Sequence, residues 1–302
     1  MRTAVIYYSQ TGNTKRIARA IQQGLAQATG RCDLFPLRQA HFREVLGYDL
    51  IGVGCPVWEL KEPLNVRIFM ETLPQLSGKH CFLFATHGAD RGGIFPSMAR
   101  VLAETDVKIV GYRSWYGTVW DQISPKPYLT DGHPDEIDLK EAQDFGQAMA
   151  EASKRVSRGE ADLTEALVTA RQRRLTMRLF TEIRYIPENC TYPKCTLCMD
   201  CCPTGAIDLA QKPVEFMRPG RCLRCNYCEL ICPTGAIEGD FEPAASRFRE
   251  VIFPAARELF KRGQERGYFR QLIPEEQVGT LGPLYLAYPR RPRFKLADLL
   301  QA

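Results

Sequence analysis

Nine of the twelve cysteines in this 302-residue chain lie between residues 190 and 232, and this clustering constrains the fold more than any other feature. The sequence opens MRTAVIYYS, which lacks the charged start, long apolar run and cleavage site of a signal peptide. Without an export signal, cysteines at this density indicate metal binding and not a disulfide framework. We therefore expect a cytoplasmic protein whose thiols stay reduced, in an anoxic cell.

The second cysteine run has the spacing that [4Fe–4S] clusters require. Residues 222–233 read CLRCNYCELICP, a full match to the pattern C-x₂-C-x₂-C-x₃-C-P. In this pattern three thiolates on successive tight turns converge on one cluster, and the fourth, followed by proline, faces another cluster. Zinc sites usually combine two Cys-x₂-Cys pairs into four ligands, so a [4Fe–4S] cluster fits this run better than zinc does.

The first cysteine run is a variant of the same pattern. Cys195, Cys198 and Cys202 occupy the expected positions, and both runs end in CPTGAI, at residues 202–207 and 232–237. The repeat predicts a small pseudo-symmetric module. Tyr192 stands where the first cysteine belongs, and Cys190 lies two residues before it, which gives C-x₄-C-x₂-C-x₃-C-P.

A second interpretation of the first run uses Cys201 as a ligand. Together with Cys195 and Cys198 it forms an alternative C-x₂-C-x₂-C spacing. We prefer Cys190, because it keeps the three-residue gap before Cys-Pro that the second run shows.

The first half of the chain alternates strand and helix patterns. Short β-branched, aromatic or apolar runs occupy residues 3–8, 49–53, 80–85 and 108–111. Between and after them lie helical patterns. The first has Ile17, Ile21 and Leu25 on one face, and the others cover residues 63–73, 96–104 and 138–156. Continuous apolar strands alternating with helices predict a doubly wound parallel sheet.

The first strand is followed by a loop suited to a phosphate group. Its residues are Ser9, Gln10, Thr11, Gly12, Asn13 and Thr14. A helix start offers free N–H groups and the positive end of the helix dipole, glycine permits close approach, and hydroxyls can donate to phosphate oxygens. The loop has neither the lysine of a P-loop nor a G-x-G-x-x-G pattern, and a capped turn without a ligand remains the alternative.

This loop resembles the FMN-phosphate loop of the flavodoxin family, T/S-x-T-G-x-T. Two further loops strengthen the resemblance, GCPVW at residues 54–58 and THGADRGG at residues 86–93. The resemblance implies a flavodoxin-like five-stranded doubly wound sheet over residues 1–156 that binds FMN at the carboxyl ends of its strands. The further flavin-binding residues that it implies are Pro56, Val57, Trp58, Thr86, His87, Gly88, Gly92 and Gly93. A packing role for Trp58 stays open.

The cysteine module resembles the two-cluster bacterial ferredoxins. By that resemblance one [4Fe–4S] cluster is held by Cys190, Cys195, Cys198 and Cys232, and the other by Cys222, Cys225, Cys228 and Cys202. The whole chain is similar to a flavodoxin–ferredoxin fusion with a small α+β ferredoxin-like domain at residues 187–240. Residues 157–186 read as a connecting helix. Residues 241–302 read as a basic helical and Pro-containing extension, with Pro254 as a kink.

These features predict an electron-transfer protein of anaerobic metabolism, which connects two [4Fe–4S] clusters with FMN and exchanges electrons with redox partner proteins. The alternative is an FMN-dependent iron–sulfur oxidoreductase that reduces a small acceptor such as a quinone. In that case residues 115–121 would wall a pocket and His87 would be the acid/base candidate. A third interpretation is a docking module, whose Arg-rich linker and tail bind an acidic partner.

Other function classes lack support in the sequence. The formal net charge of the chain is only +5, and its basic residues are not interleaved with aromatic residues that could stack on bases. Both features argue against nucleic-acid binding. No apolar run approaches the ~18 residues of a membrane-spanning helix. His41, His80 and His133 show no catalytic partner in sequence, and no triad or carboxylate pair indicates hydrolysis.

Overall fold

The computed structural model describes residues 1–171, 181, 183–210 and 220–287. The chain divides into two compact units. The first consists of Met1–Thr118 and Gly132–Thr176, and the second of Val119–Asp131 and Met177–Ala302. Within the described ranges, no helix combines the length and the apolarity that a bilayer crossing needs.

The first unit is built on one parallel sheet of five strands. They are β1 (Thr3–Tyr7), β2 (Cys32–Pro36), β3 (Leu50–Pro56), β4 (His80–His87) and β5 (Lys108–Tyr116). Their order is β2-β1-β3-β4-β5, and each neighbouring pair is parallel. This order confirms the predicted flavodoxin-like doubly wound sheet. Only β2 lacked a predicted position, because this edge strand is largely half-buried and carries no continuous apolar run.

Helices cover both faces of the sheet. They are α1 (Asn13–Thr29), α2 (Phe42–Val45), α3 (Leu64–Glu71), α4 (Ile94–Ala103), α5 (Glu136–Ser157) and α6 (Thr164–Thr169). The fully buried Ile17, Ile21 and Leu25 of α1 belong to the same core cluster as Phe82 and Phe84 of β4. The helical face predicted from sequence is therefore the face that packs on the sheet.

The predicted connecting helix over residues 157–186 is wrong for the part of it that the structure describes. Helix α5 ends at Ser157, and Gly159 follows with φ +98°, a left-handed conformation that stops a helix. The short α6 comes next, and its Leu167 is buried. A strand, β7 (Ile183–Tyr185), lies near the end of the range. Residues 172–180 and 182 lie outside the described residues.

The second unit contains the cysteine module. Strand β7 pairs antiparallel with β8 (Ile237–Gly239). Each cysteine run contributes one short helix, α7 (Leu197–Asp200) from the first and α8 (Tyr227–Ile231) from the second. This small α+β arrangement agrees with the predicted ferredoxin-like domain.

The described part of the C-terminal extension contains the predicted helices. Helix α9 (Glu242–Arg247) leads through a π-helical turn (Phe248–Ile252) into α10 (Phe253–Glu265), and the short α11 (Leu284–Ala287) ends it. Pro254 stands in the first turn of α10, where its missing N–H is tolerated, so the predicted kink takes the form of a π turn. Residues 288–302 lie outside the described residues.

Residues 119–131, which the sequence assigned to the domain at 1–156, belong to the second unit instead. Strand β6 (Pro125–Lys126) pairs there with β9 (Gly282–Pro283) of the extension. Tyr128 is 2% exposed, and its ring centroid lies 6.3 Å from that of Phe248 and 6.0 Å from that of Phe253. The segment belongs to the second unit because the side chain of Tyr128 is buried among the aromatic rings of the extension.

Candidate flavin and iron–sulfur sites

The predicted phosphate loop lies between β1 and α1. Gly12 is the residue before the helix, with φ 94°, a conformation that only glycine adopts without strain. Its N–H donates to Oγ of Ser9 at 3.2 Å. No side chain caps the start of α1, so the N–H groups of the first turn and the helix dipole can bind an anion.

Hydrogen bonds tie this loop to the ends of two other strands. The hydroxyl of Thr14, 1% exposed, is 2.7 Å from that of Thr86 on β4. The Asn13 side chain donates to the backbone oxygen of Thr118, just after β5, at 2.8 Å. The Thr14 hydroxyl is thus shared with a protein partner, while Ser9, Gln10 and Thr11 are only half-buried in the loop.

The second predicted loop follows β3 and contains a strained turn. Val57 donates its N–H to the carbonyl of Thr86 at 2.8 Å. Trp58 and Lys61 exchange two backbone hydrogen bonds of 2.9 Å, and the residues between them, Glu59 and Leu60, have φ of 46° and 66°. Positive φ at both central positions is unfavourable for side chains of this size. Such strain is concentrated at ligand-binding loops.

The third predicted loop follows β4 and lies against the second. Gly93 donates its N–H to the carbonyl of Leu60 at 3.0 Å, and Gly92 donates to the carboxylate of Asp90 at 2.8 Å. A Cβ atom on Gly92 would be 2.3 Å from that of Leu60, and its φ is 56°. Glycine is required here by both the conformation and the close approach. The three predicted loops therefore meet at the carboxyl edge of the sheet.

His87 ends β4 and adjoins Gly88 at the start of the third loop. Its ring centroid lies 4.7 Å from that of Tyr116, and its carbonyl accepts the N–H of Gly117 at 3.0 Å. Burial lowers the pKa of His87 to about 4, although a hydrogen bond to the Gly88 backbone acts in the opposite direction. The imidazole is therefore neutral at pH 7. The sequence prediction placed Tyr116 in a pocket wall and not in β5, because it ended that strand at residue 111.

Trp115, the first residue of the pocket wall predicted at 115–121, lies in the core instead. It is part of β5, is 3% exposed and has its ring centroid 5.6 Å from that of Phe145. Tyr116 and Gly117 contact His87, and residues 119–121 belong to the second unit. The wall predicted for residues 116–121 stays a prediction.

The residues of the three loops fit the FMN group that the resemblance implies. The indole Nε1 of Trp58 and the side-chain Oδ1 of Asn65 are buried and have no hydrogen-bond partner among the described residues. Buried polar atoms without partners are rare and destabilising, so they indicate a polar ligand. Asn65 was missed from sequence, because nothing in its local pattern distinguishes it from an ordinary residue of α3.

The predicted ligands of the first cluster lie together in the second unit. Burial, and then the charges of Cys232, Cys190 and Cys195, raise the pKa of the Cys198 thiol to about 11. Cys195 precedes α7, Cys198 lies on it, and Cys232 directly follows α8. The two cysteine runs therefore contribute jointly to this set.

The predicted ligands of the second cluster also lie together. Burial raises the pKa of Cys228, and Cys225 and Cys222 add to this rise. Burial likewise raises the pKa of Cys222, where the Arg224 N–H acts in the opposite direction and the charge of Cys202 adds to the rise. Neighbouring thiolates repel one another, and positive iron removes that repulsion. The donor sets thus fit iron–sulfur clusters.

Backbone and hydroxyl groups orient the sulfur atoms. The N–H of Ala206 donates to Sγ of Cys202 at 3.2 Å, and the N–H of Arg224 donates to Sγ of Cys222 at 3.2 Å. The hydroxyls of Thr204 and Thr234 each lie 3.8 Å from the sulfur of the cysteine two residues before them. The repeated CPTGAI sequence therefore places a threonine beside a cysteine sulfur in both halves.

Cys201 is the alternative ligand of the first set, and its side chain is exposed. Burial raises the pKa of Tyr227 to about 12, and the charges of Cys201 and Cys225 add to this rise. The charges that act on Cys198 include that of Cys190. Cys190 as the remaining ligand of the first set stays a prediction.

Comparison with known proteins identifies the two domain types. The flavodoxin domain model matches residues 4–111, and the 4Fe-4S binding domain model matches residues 217–238. The flavodoxin of Megasphaera elsdenii is 26% identical over 110 residues, which are 35% of this chain and 80% of that protein. The flavodoxin of Clostridium beijerinckii is 24% identical over 149 residues, 48% of this chain and 97% of that protein.

Two solved flavodoxin structures are similar to part of the chain. A flavodoxin from the domain Archaea aligns with a TM-score of 0.41 and 23% identity, over 51% of this chain and 99% of that one. The solution structure of two-electron reduced Megasphaera elsdenii flavodoxin aligns with a TM-score of 0.40 and 24% identity, over 49% and 98%.

The chain is a flavodoxin–ferredoxin-type fusion, in which a flavodoxin domain precedes a 4Fe–4S binding domain. A flavodoxin domain binds FMN, and a 4Fe–4S domain binds an iron–sulfur cluster. These two domains support an electron-transfer or redox function for the chain.

Proposed function

We propose that this chain transfers electrons between two [4Fe–4S] clusters and one FMN in a reducing cytoplasm, as part of anaerobic metabolism. The clusters supply one-electron transfer, and the flavin supplies one- or two-electron chemistry. Redox partner proteins are the donor and the acceptor. The observation that supports the proposal is that thiols of the two runs lie near one another, since the charge of Cys232 acts on Cys198 and that of Cys202 acts on Cys222.

In this proposal the flavin is held by the three loops at the carboxyl edge of the sheet. The start of α1 and Gly12 bind its phosphate, while Trp58 and the neutral His87 border its ring system. The full set of proposed flavin residues is Ser9, Gln10, Thr11, Gly12, Asn13, Thr14, Pro56, Val57, Trp58, Thr86, His87, Gly88, Gly92 and Gly93. Hydrogen bonds among the loops support a joint role.

The proposed ligands of one cluster are Cys190, Cys195, Cys198 and Cys232, and those of the other are Cys222, Cys225, Cys228 and Cys202. N–H groups that donate to Sγ of Cys202 and Cys222 stabilise negative charge on sulfur and so influence the potential. The small-acceptor alternative loses one of its supports, because Trp115 is buried in the core.

Anaerobic reconstitution of the full chain tests the proposal. We expect one FMN and about eight iron atoms per chain, as two [4Fe–4S] clusters require. Cys195→Ala and Cys225→Ala should each reduce the iron content to about half, because each removes a ligand from a different cluster. Cys201→Ala is the matched control and should leave the iron content unchanged.

Two results would contradict the proposal. One is about four iron atoms per wild-type chain, which corresponds to a single cluster. The other is steady-state reduction of a quinone by the purified chain at a rate typical of enzymes, ~10 s⁻¹, which would favour the oxidoreductase alternative.

A further inference from the structure

The segment of residues 119–131, here called the brace, is fixed along one side to the C-terminal extension. Four backbone N–H groups of the extension donate to carbonyls of the brace. The pairs, donor first, are Gly279 to Pro127 at 2.9 Å, Leu281 to Lys126 at 2.8 Å, Leu284 to Ser124 at 3.1 Å and Tyr285 to Gln122 at 3.1 Å. The brace is therefore a part of the second unit with a defined backbone position.

Buried polar side chains make the brace rigid. The carboxylate of Asp121 accepts the N–H groups of Ile123 at 3.1 Å and Ser124 at 2.7 Å. Lys126 is 3% exposed, and its ammonium lies 3.3 Å from the carboxylate of Asp131 and 5.0 Å from the ring centroid of Trp120. A buried ammonium paired in this way limits the conformations that the loop can adopt.

Gln122 extends from the brace to the second cysteine run. It is 2% exposed, and its side-chain Nε2 donates to the carbonyl of Asn226 at 3.1 Å and to Oε2 of Glu229 at 3.3 Å. Asn226 directly follows Cys225, and Glu229 directly follows Cys228. One carboxamide thus contacts the chain on both sides of the third cysteine of this run.

The contacted turn has a backbone that needs support. Arg224 has φ 56° and Asn226 has φ 53°, so two residues between the first and third cysteines of the run are left-handed. Such conformations are unfavourable for residues with side chains, although asparagine tolerates them better than most. A hydrogen bond to the Asn226 carbonyl stabilises the turn from outside the cysteine module.

We propose that the brace fixes the loop of residues 222–228, and that Gln122 is the positioning residue for the cluster bound there. The inference rests on the proposed function, because it assumes a [4Fe–4S] cluster on Cys222, Cys225, Cys228 and Cys202. It also gives the extension a role, which is to hold the brace against the cluster loop. Among the described residues, Gln122 makes no hydrogen bond to the proposed ligands of the other cluster.

The test uses the anaerobically reconstituted full chain and its Gln122→Met variant, which keeps the side-chain length and removes the donor. We expect about half of the iron to pass to an iron chelator roughly fivefold faster than in the wild type, which corresponds to a net loss of about 1 kcal/mol from the two hydrogen bonds of Gln122. One of the two cluster potentials, followed by electron paramagnetic resonance, should shift, and the other should stay at its wild-type value.

Gln271 provides a matched control within the extension. Its Nε2 donates to the carbonyl of Ile273 at 3.0 Å and to Oε2 of Glu275 at 2.8 Å, the same bonding pattern as that of Gln122. Gln271→Met should leave both cluster potentials and the iron release rate unchanged. If Gln122→Met does not fold, Glu229→Met removes one of the two acceptors and should accelerate iron release to a smaller extent.

The inference is overturned if Gln122→Met, or Glu229→Met in its place, releases iron at the wild-type rate with both potentials unchanged. It is also overturned if Gln271→Met shifts a potential as much as Gln122→Met does. A wild-type chain without [4Fe–4S] signals overturns the proposed function as well, so the two failures are distinguishable.

Discussion

Two histidines stand at opposite ends of β4, and burial lowers the pKa of both. Nδ1 of His80 lies 2.7 Å from the hydroxyl of Ser153. Besides burial, the nearby Lys108 lowers the pKa of His80, while Asp162 and Asp49 raise it. A histidine with a lowered folded-state pKa contributes its full stability above the unfolded-state value of about 6.5. That stability is lost as the pH falls, because the unfolded chain binds the proton more tightly.

We predict that replacing His80 by glutamine makes stability less dependent on pH. The wild-type free energy of unfolding should fall between pH 7.5 and pH 5.5, by at most about 1.4 kcal/mol per pH unit for each such histidine. The fall should be smaller in His80→Gln, measured by urea denaturation at both values. His41→Gln, at an exposed position, is the control and should behave as the wild type. Equal falls in wild type and His80→Gln would contradict the prediction.

At the scale of single residues, the sequence predicted those site residues that belong to a short local motif. The loop at residues 9–14 and the eight proposed cluster ligands belong to short motifs whose spacing is itself the chemistry. Asn65 and Gln122 were not identified, because each acquires its neighbours only through the fold. His133 belongs with them, since its partner Asp138 lies 2.5 Å away within the buried start of α5.

At the scale of elements, helices α1 and α5 approach so closely that the backbone of each lies against a glycine of the other. A Cβ atom on Gly24 of α1 would lie 1.9 Å from the carbonyl oxygen of Gln143, and one on Gly146 of α5 would lie 2.3 Å from the carbonyl oxygen of Ile21. Backbone atoms cannot move aside as a flexible side chain can. The two glycines therefore set the distance between the helices.

We predict that Gly24→Ala destabilises the first unit. Alanine favours the helix by about 1 kcal/mol over glycine. The clash should exceed that gain, because overpacking a close contact costs about 1–3 kcal/mol and here the obstacle is backbone. Urea denaturation should give a lower midpoint for Gly24→Ala. Gln23→Ala, at the exposed neighbouring position, should stay within about 0.5 kcal/mol of the wild type. A midpoint at or above the wild-type value would show that the helices can separate.

The prediction was accurate for β1, β3, β4 and α5, because the buried residues of these elements follow a regular apolar pattern in the sequence. Strand β2 is at the sheet edge and only half-buried, so its residues carry no apolar run. The region after α5 misled the prediction, because its Arg-rich composition suits a helix and the effect of Gly159 depends on a backbone angle. Strand β5 was predicted too short for a similar reason, since its exposed Tyr112 and Arg113 interrupt the pattern.

At the scale of the whole molecule, the two units differ in what stabilises them. The sheet of the first unit has a large core that includes Phe82, Phe84 and Ile17. Among its described residues, the cysteine module has few large buried side chains, such as Ile207, Ile231 and Ile237, and several half-buried thiols that repel one another when ionised. A small module of this kind needs metal to stay folded.

We predict that anaerobic iron removal unfolds the cysteine module and leaves the sheet of the first unit intact. Hydrogen exchange followed by mass spectrometry should show loss of protection in residues 183–210 and 220–240. Residues of β1, β3 and β4 should keep theirs. Incubation with an iron-saturated chelator is the control and should change neither region. Unchanged protection across the cysteine module after complete iron loss would contradict the prediction.

Because translation proceeds from the N-terminus, residues 119–131 are synthesised before the residues that they pack against. They are made more than a hundred residues before their partners Phe248, Phe253 and Tyr285. At ~5–20 residues per second, this stretch is synthesised roughly 6–30 s before its partners. Dividing the gene at the apparent domain boundary near residue 156 would also separate residues 119–131 from these partners. A gene fragment that starts after that boundary therefore encodes an incomplete second unit, and a working truncation has to carry this stretch along.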